Sequence, residues 1–218
     1  MRARLLLVTL AFPALLQAQQ YSPLSIGVDA ASLRVVREVA TSQRFEGTVL
    51  GARASASFRR LQLEGRYVEG SLTPPAAAAD AEDLVDARII ARVGIKPWLA
   101  IGVGPHLRAF ITPNGTARWS RMEVHTRSEG ELINGLAYVR VDLWFAASAT
   151  SNVQGGGSGA MGGEAGLLIR IPGTPTALEV TYLADRATFA SGGDEFVEGI
   201  RVALVLDRIL PRRLAVAR

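Results

Sequence analysis

The chain has 218 residues, a formal net charge of +4 and no cysteine. Its length fits one domain, and the lack of cysteine excludes a disulfide, a thiolate metal site and a cysteine nucleophile. Nearly all basic charge is arginine, with Lys96 as the one lysine, and it is interleaved with Asp and Glu. A nucleic-acid binder would concentrate basic charge on one face, so no nucleic-acid partner is expected.

Residues 1–18 have the features of a secretory signal peptide. Two arginines precede a short apolar segment that is too short for a spanning helix, and Ala18 is a suitable last residue before cleavage. Residues 19–207 are therefore predicted to form one exported barrel domain. A basic tail would follow at 208–218.

Ten segments are predicted to be strands, and the hairpin at 87–111 is the clearest. Alternate residues there are apolar on one face and small or polar on the other, which indicates strands between two environments. Lys96 and Pro97 supply the turn, and each arm is about 10 residues long, roughly what a tilted strand needs to cross a bilayer. The other segments lie near residues 24–33, 46–58, 61–70, 117–127, 136–147, 159–171, 177–187 and 196–206.

The sixth segment, 117–127, has the weakest pattern, because ionisable residues fill one face and the other face is partly polar. Omitting it and one neighbour would leave eight strands. Short turns are predicted at 59–60, 96–97, 128–131 and 172–175, and longer connections at 34–45, 71–83, 112–116, 150–158 and 188–194. An even strand number with turns at one end and loops at the other is typical of outer-membrane barrels.

This combination resembles the small bacterial outer-membrane β-barrel proteins, of which the transmembrane domain of outer membrane protein A is an example. The resemblance covers about residues 22–207 and departs at 207–218, which lacks a terminal aromatic residue. It implies an all-β fold, an antiparallel up-and-down transmembrane β-barrel of about ten strands in the outer membrane of a Gram-negative bacterium. It also implies a non-enzymatic structural or loop-presenting role, contact with membrane lipid, an extracellular partner contacting the loops, and a monomer.

The polar face is predicted to fill the lumen, since an arginine on the lipid face would cost about 2–4 kcal/mol at mid-bilayer. Glycines on the same face leave room for arginine side chains. No catalytic residue, metal or cofactor is expected. His106 is interpreted as a hydrogen-bonded lumen residue, and His125 with Glu123 lacks the further ligands that a metal site needs. The residues predicted to form a structural network of ion pairs are Glu64, Arg66, Asp86, Arg88, Arg92, His106, Arg108, Arg140, Asp142, Glu164, Arg170, Glu179 and Arg201.

Two alternatives remain open from the sequence. Asp83, Asp86 and His106 could serve an outer-membrane hydrolase acting at the extracellular rim. A secreted lipocalin-like barrel would instead place the apolar face inside and bind a small apolar ligand.

Two further expectations concern single residues. Pro105 predicts a bulge in its strand. Aromatic residues near strand ends predict two interfacial girdles, with Phe58 and Trp98 at the turns and, near the loops, Tyr67, Phe110, Trp119, Phe145, Phe189 and Phe196.

Overall fold

The computed structural model describes residues 24–38, 42–75, 80–153 and 156–207. Ten antiparallel strands, each paired with its neighbours in sequence, close into a barrel where the first strand meets the last. They are β1 Leu24–Glu38, β2 Ser42–Phe58, β3 Leu61–Thr73, β4 Glu82–Lys96, β5 Leu99–Thr112, β6 Gly115–Ile133, β7 Ala137–Ser151, β8 Gly157–Arg170, β9 Thr176–Phe189 and β10 Asp194–Asp207. The predicted ten-strand barrel is confirmed, and the eight-strand alternative is wrong.

The strands are longer than a membrane crossing requires. They contain 13 to 19 residues, whereas a strand tilted by about 45° crosses the hydrocarbon core in roughly 9–11. The described residues include no helix with the length and hydropathy to cross a membrane. The predicted signal peptide at 1–18 and tail at 208–218 lie outside the described residues.

The loop-end connections are shorter than the sequence predicted, and one turn lies elsewhere. The segment 34–45 was expected to be a loop, but β1 continues to Glu38 and β2 begins at Ser42. The turn expected at 128–131 lies inside β6, where Glu129 is opposite Arg140 in the ladder to β7. The chain turns instead at 134–136, where Gly135 has a φ of 69° that favours glycine. We call the end with the connections after β2, β4, β6 and β8 the turn end, and the other the loop end.

Pro105 does not produce the predicted bulge. Arg88 pairs with His106 and Ala91 with Val103, so β4 and β5 keep one register on both sides of the proline. Between these pairs the ladder is interrupted without a shift, which accommodates a residue that has no N–H to donate. The strands approach closely here, since a Cβ on Gly104 would lie 1.8 Å from the Ile89 carbonyl oxygen.

The barrel interior has apolar layers around a charged middle. One apolar cluster includes Leu33, Val49, Val68, Leu84 and Val197, all buried, from five strands. A second, with Leu168, Ala177, Ala203 and Val205, lies toward the turn end. The ionisable residues occupy the space between and around these clusters, and they form the candidate site.

Candidate functional site in the barrel lumen

The predicted polar residues all face the interior and have charged or polar partners there. The structure adds inward-facing partners to this set, and we call the combined group the lumen network. Its members are Glu64, Arg66, Asp86, Arg88, Arg92, His106, Arg108, Arg140, Asp142, Glu164, Arg170, Glu179, Arg201, Asp29, Arg53, Arg121, Glu123, His125, Arg127, Glu129, Asp185 and Asp207.

Two arginines and two carboxylates form a closed ring at one side of the network. Arg92 donates to Glu64 at 2.9 Å and to Asp142 at 2.7 Å. Arg127 donates to the same two carboxylates, at 2.8 Å to Glu64 and 3.0 Å to Asp142. The four residues come from β3, β4, β6 and β7, so the ring joins neighbouring and non-neighbouring strands through the interior.

Asp185 is a second centre of the network. Arg121 donates to both of its oxygens at 3.0 and 2.9 Å, Arg108 donates at 2.5 Å, and the Trp144 indole N–H donates at 3.1 Å. Arg108 also donates to Asp86 at 2.8 Å. Because β9 is not adjacent to β5, β6 or β7, these bonds cross the lumen, and they satisfy a carboxylate that is almost fully buried.

Glu179 is the third centre. Arg53 donates to both carboxylate oxygens at 2.9 and 2.7 Å, and Arg140 donates at 3.1 Å. Arg201 connects Glu179, at 3.4 Å, to Glu164, at 3.2 Å. Buried charges are tolerated when they are paired and hydrogen-bonded in this way.

Three arginines of the predicted set make fewer or longer contacts. Arg88 lies 3.8 Å from Glu164 and stacks over the Trp144 ring at 5.1 Å. Arg66 donates to Asp29 at 3.2 Å, and Arg170, near the turn end, donates to Tyr138 at 3.0 Å and to Asp207 at 3.4 Å.

Glycines on the inward face provide the space that these side chains occupy. A Cβ on Gly102 would lie 2.6 Å from Cγ of Arg92, and one on Gly51 would lie 2.7 Å from Oδ1 of Asp29. A Cβ on Gly162 would lie 2.7 Å from the ring carbons of Trp144. These inward-facing glycines therefore leave space that the side chains of Arg92, Asp29 and Trp144 occupy.

A separate charged cluster closes the interior near the loop end. Arg37 donates to both oxygens of Glu82 at 3.1 and 3.2 Å and to Glu195 at 3.1 Å. Its guanidinium also lies over the rings of Phe110 and Phe45, at 4.6 and 5.7 Å from their centroids. This cluster joins β1 to β2, β4, β5 and β10 across the mouth of the barrel.

Sequence reasoning missed several of these residues. The weak sixth strand has four ionisable residues on one face, Arg121, Glu123, His125 and Arg127. Their spacing of two residues already indicated that this face points into the lumen. Arg37 was assigned to a predicted loop. Phe110, Trp119 and Phe189 were expected in the outer girdle, yet they are buried inside, because they stand in the inward phase of their strands.

Of the three residues proposed for a rim hydrolase, only Asp86 and His106 come together, and they do so inside the barrel rather than at its rim. Asp83 faces outward and accepts a hydrogen bond from Ser71. Asp86 and His106 face inward, and both ring nitrogens of His106 contact carboxylates. Within the described ranges, no group of three or more His, Asp or Glu residues is arranged to hold a metal ion.

The outer face of the barrel is apolar around its whole circumference. Each strand contributes at least one large apolar side chain that is more than a third exposed. Examples, one from each strand in order, are Val28, Leu50, Leu63, Ile89, Val103, Met122, Leu143, Met161, Val180 and Ile200. A closed barrel with charges inside and a continuous apolar belt outside fits hydrocarbon, where every backbone group must be paired.

The chain folds as an outer-membrane β-barrel. Its belt is bounded at the turn end by exposed Phe58 and Trp98. Toward the loop end, the Tyr67 hydroxyl donates to Glu69 at 2.7 Å and the Tyr182 hydroxyl to Glu198 at 2.9 Å. The polarity is therefore opposite to that of a lipocalin-like barrel, and that alternative is wrong.

No protein-family model matches this chain, and no curated protein matches it. Solved structures do match. An outer membrane channel from Pseudomonas putida F1 is 9% identical with a TM-score of 0.48, over 87% of this chain and 99% of that one. Neisserial surface protein A is 12% identical with a TM-score of 0.44, over 85% and 97%. The translocator domain of the autotransporter NalP from Neisseria meningitidis is 12% identical with a TM-score of 0.44, over 86% and 89%.

Proposed function

We propose that the protein is a non-enzymatic scaffold of the outer membrane whose lumen is sealed. The observation that carries this proposal is the pairing of inward-facing charges with one another across the interior. Asp185, for example, is held by Arg108, Arg121 and Trp144 from three other strands. An open pore would leave such charges facing water along a continuous path, as the wider barrels do.

The free space inside the barrel is consistent with a sealed lumen. A cavity of about 40 Å³ lies between Leu33, Val68 and Leu84 on one side and Asp86, Arg88 and other charged residues on the other. That volume holds a few water molecules. A drug-sized ligand needs a pocket of roughly 300–1,000 Å³, so this cavity is far too small for a bound lipid or a similar cargo.

The non-enzymatic part of the proposal rests on access. His106 is the residue in the predicted set that is best suited to act as a base, but its ring is buried and both nitrogens are occupied. A base must reach the proton that it abstracts, directly or through one water. We propose that an extracellular partner would contact the loop end of the barrel. We propose that the barrel acts as a monomer, since all ten strands are paired within one chain.

Planar-bilayer recording tests the sealed lumen. The folded wild-type chain should give no steady conductance at ordinary salt concentrations. A variant that carries Arg92→Ala and Arg127→Ala loses both cations of the ring with Glu64 and Asp142, and it should leak ions. An outward variant, Leu50→Ala, is the matched control and should stay closed. Large, steady channels from the wild type would contradict the proposal.

A further inference from the structure

Four buried residues and the partly buried Asp86 form an unbroken chain of carboxylates and imidazoles along β4 to β7. His106 joins Asp86, at 2.8 Å from Nε2, to Glu123, at 2.7 Å from Nδ1. His125 continues from Glu123, at 3.1 Å from Nε2, to Asp142, at 3.0 Å from Nδ1. Both histidines of the protein are in this chain, and each ring nitrogen faces a carboxylate oxygen.

The four hydrogen bonds require four protons, one for each contact. A neutral imidazole has one N–H and one bare nitrogen, and an ionised carboxylate only accepts. Neutral rings with ionised carboxylates therefore supply two of the four protons. The remaining two contacts would place a nitrogen lone pair against a carboxylate oxygen at hydrogen-bond distance, inside a protein where repulsion is poorly screened.

We propose that Asp86, His106, Glu123, His125 and Asp142 form a buried site that binds two protons and holds β4, β5, β6 and β7 together when it is loaded. Each proton comes from water and binds a ring nitrogen, so the site gains two positive charges. The loaded state has a donor and an acceptor at every contact. Loss of the protons breaks two of the four bonds and weakens this part of the barrel wall.

Some of the charges around the two histidines favour protonation of the rings and others oppose it. Around His106 and His125 the carboxylates favour protonation and the arginines oppose it, but every direct contact of the ring nitrogens is with a carboxylate. The other charged groups that face the chain are Glu64 and Arg66 on β3, Arg88 and Arg92 on β4, Arg108 on β5, Arg121 and Arg127 on β6, Glu164 on β8 and Asp185 on β9.

One end of the site borders a space that can hold water. Asp86 and His106 line the cavity of about 40 Å³, which can hold water. The Asp86 side chain is 16% exposed, whereas those of Glu123, His125 and Asp142 are fully buried. Protons would therefore enter at Asp86 and His106 and reach His125 through Glu123, which contacts both rings.

Nitrogen-15 NMR of the histidine rings tests the proposal directly. The full chain, without a histidine tag and folded in detergent micelles, contains two histidines, so every ring signal belongs to the site. At pH 6 both nitrogens of both rings should carry protons, and raising the pH should remove one proton from each ring. A folded barrel at pH 6 with one bare nitrogen in each ring would overturn the proposal.

The pH dependence of unfolding supplies a second readout. Histidine in the unfolded chain loses its charge near pH 6.5, whereas the four contacts of the proposed site need two protons in the folded state. Stability then falls as the pH rises. The unfolding temperature should drop by on the order of 5–15 °C between pH 6 and pH 9, as expected for losing two charged hydrogen bonds. A flat profile over this interval would overturn the proposal.

Glu123→Gln is the informative variant, because an amide can donate to one ring and accept from the other. The site then needs fewer added protons, and the slope of unfolding temperature against pH should become shallower. Glu82→Gln removes a buried carboxylate from the Arg37 cluster, away from the histidines, and should keep the wild-type slope. A wild-type slope for Glu123→Gln would overturn the proposal. If Glu123→Gln does not fold, the NMR measurement on the wild type decides alone.

Discussion

The Arg121 guanidinium binds both carboxylate oxygens of Asp185 across the lumen, at 3.0 and 2.9 Å. The two residues stand on β6 and β9, which are separated by two strands in the barrel order. The pair therefore connects non-neighbouring parts of the wall through the interior rather than along a strand ladder. Bidentate bonds of this kind are among the strongest and most directional in proteins.

Replacing Asp185 with Ala should destabilise the barrel strongly. The substitution removes the bidentate partner of Arg121 and leaves Arg108 with Asp86 alone, and breaking a buried pair costs about 3–5 kcal/mol. Urea unfolding in detergent micelles, followed by the gel-mobility difference between folded and unfolded barrel, measures the change. Arg186→Ala is the control, because its ion pair with Asp194 lies on the exposed outer surface; it should leave the midpoint unchanged. Equal midpoints for the two variants would contradict the role of Asp185.

Replacing Gly102 with Ala should also destabilise the barrel. The new Cβ would lie 2.6 Å from Cγ of Arg92 and 2.9 Å from the Ala91 carbonyl oxygen, and overpacking of this kind costs about 1–3 kcal/mol. The matched control is Gly65→Ala, since a Cβ on Gly65 has no neighbour within 4 Å. The same unfolding assay should separate the two variants. A loss for Gly65→Ala as large as that for Gly102→Ala would show that strand propensity, and not contact with Arg92, is responsible.

An arginine at the middle of the outer belt should impair folding into lipid. Val103 is half exposed on the outer face of β5, and Val103→Arg should cost about 2–4 kcal/mol in a bilayer. Ile95→Arg, next to Lys96 at the turn end, should cost about 0–1 kcal/mol because charge is tolerated near the interface. Folding into lipid vesicles, measured against urea, compares them. Equal costs would mean that Val103 does not face the hydrocarbon core.

The faces of the strands could be predicted from the sequence because side chains alternate with a period of two. That rule placed Arg88, Arg92 and His106 inside and Ile89 outside before any contact was known. The same rule would have placed Phe110, Trp119 and Phe189 inside. They were assigned to the girdle because only their nearness to strand ends was considered.

The ends of the strands could not be predicted in the same way. Residues 34–38 carry charged side chains on both faces, which is typical of a loop, yet Arg34 pairs with Glu198 outside and Arg37 with Glu82 and Glu195 inside. These partners are distant in sequence, so nothing in the local pattern reveals them. The same is true of the contacts within the lumen network, where a spacing of two shows which residues face inward but not which of them meet.

Cysteine accessibility tests the sealed, charge-filled lumen most directly, because the natural chain has no cysteine. Ala31 is buried inside β1 and lines the small cavity, which leaves room for a sulfur atom, whereas Ser191 is exposed at the loop end. In the folded barrel, a membrane-impermeant maleimide should label Ser191→Cys at once and leave Ala31→Cys unlabelled until the protein is unfolded. Labelling of Ala31→Cys in the folded barrel as fast as that of Ser191→Cys would contradict a sealed lumen.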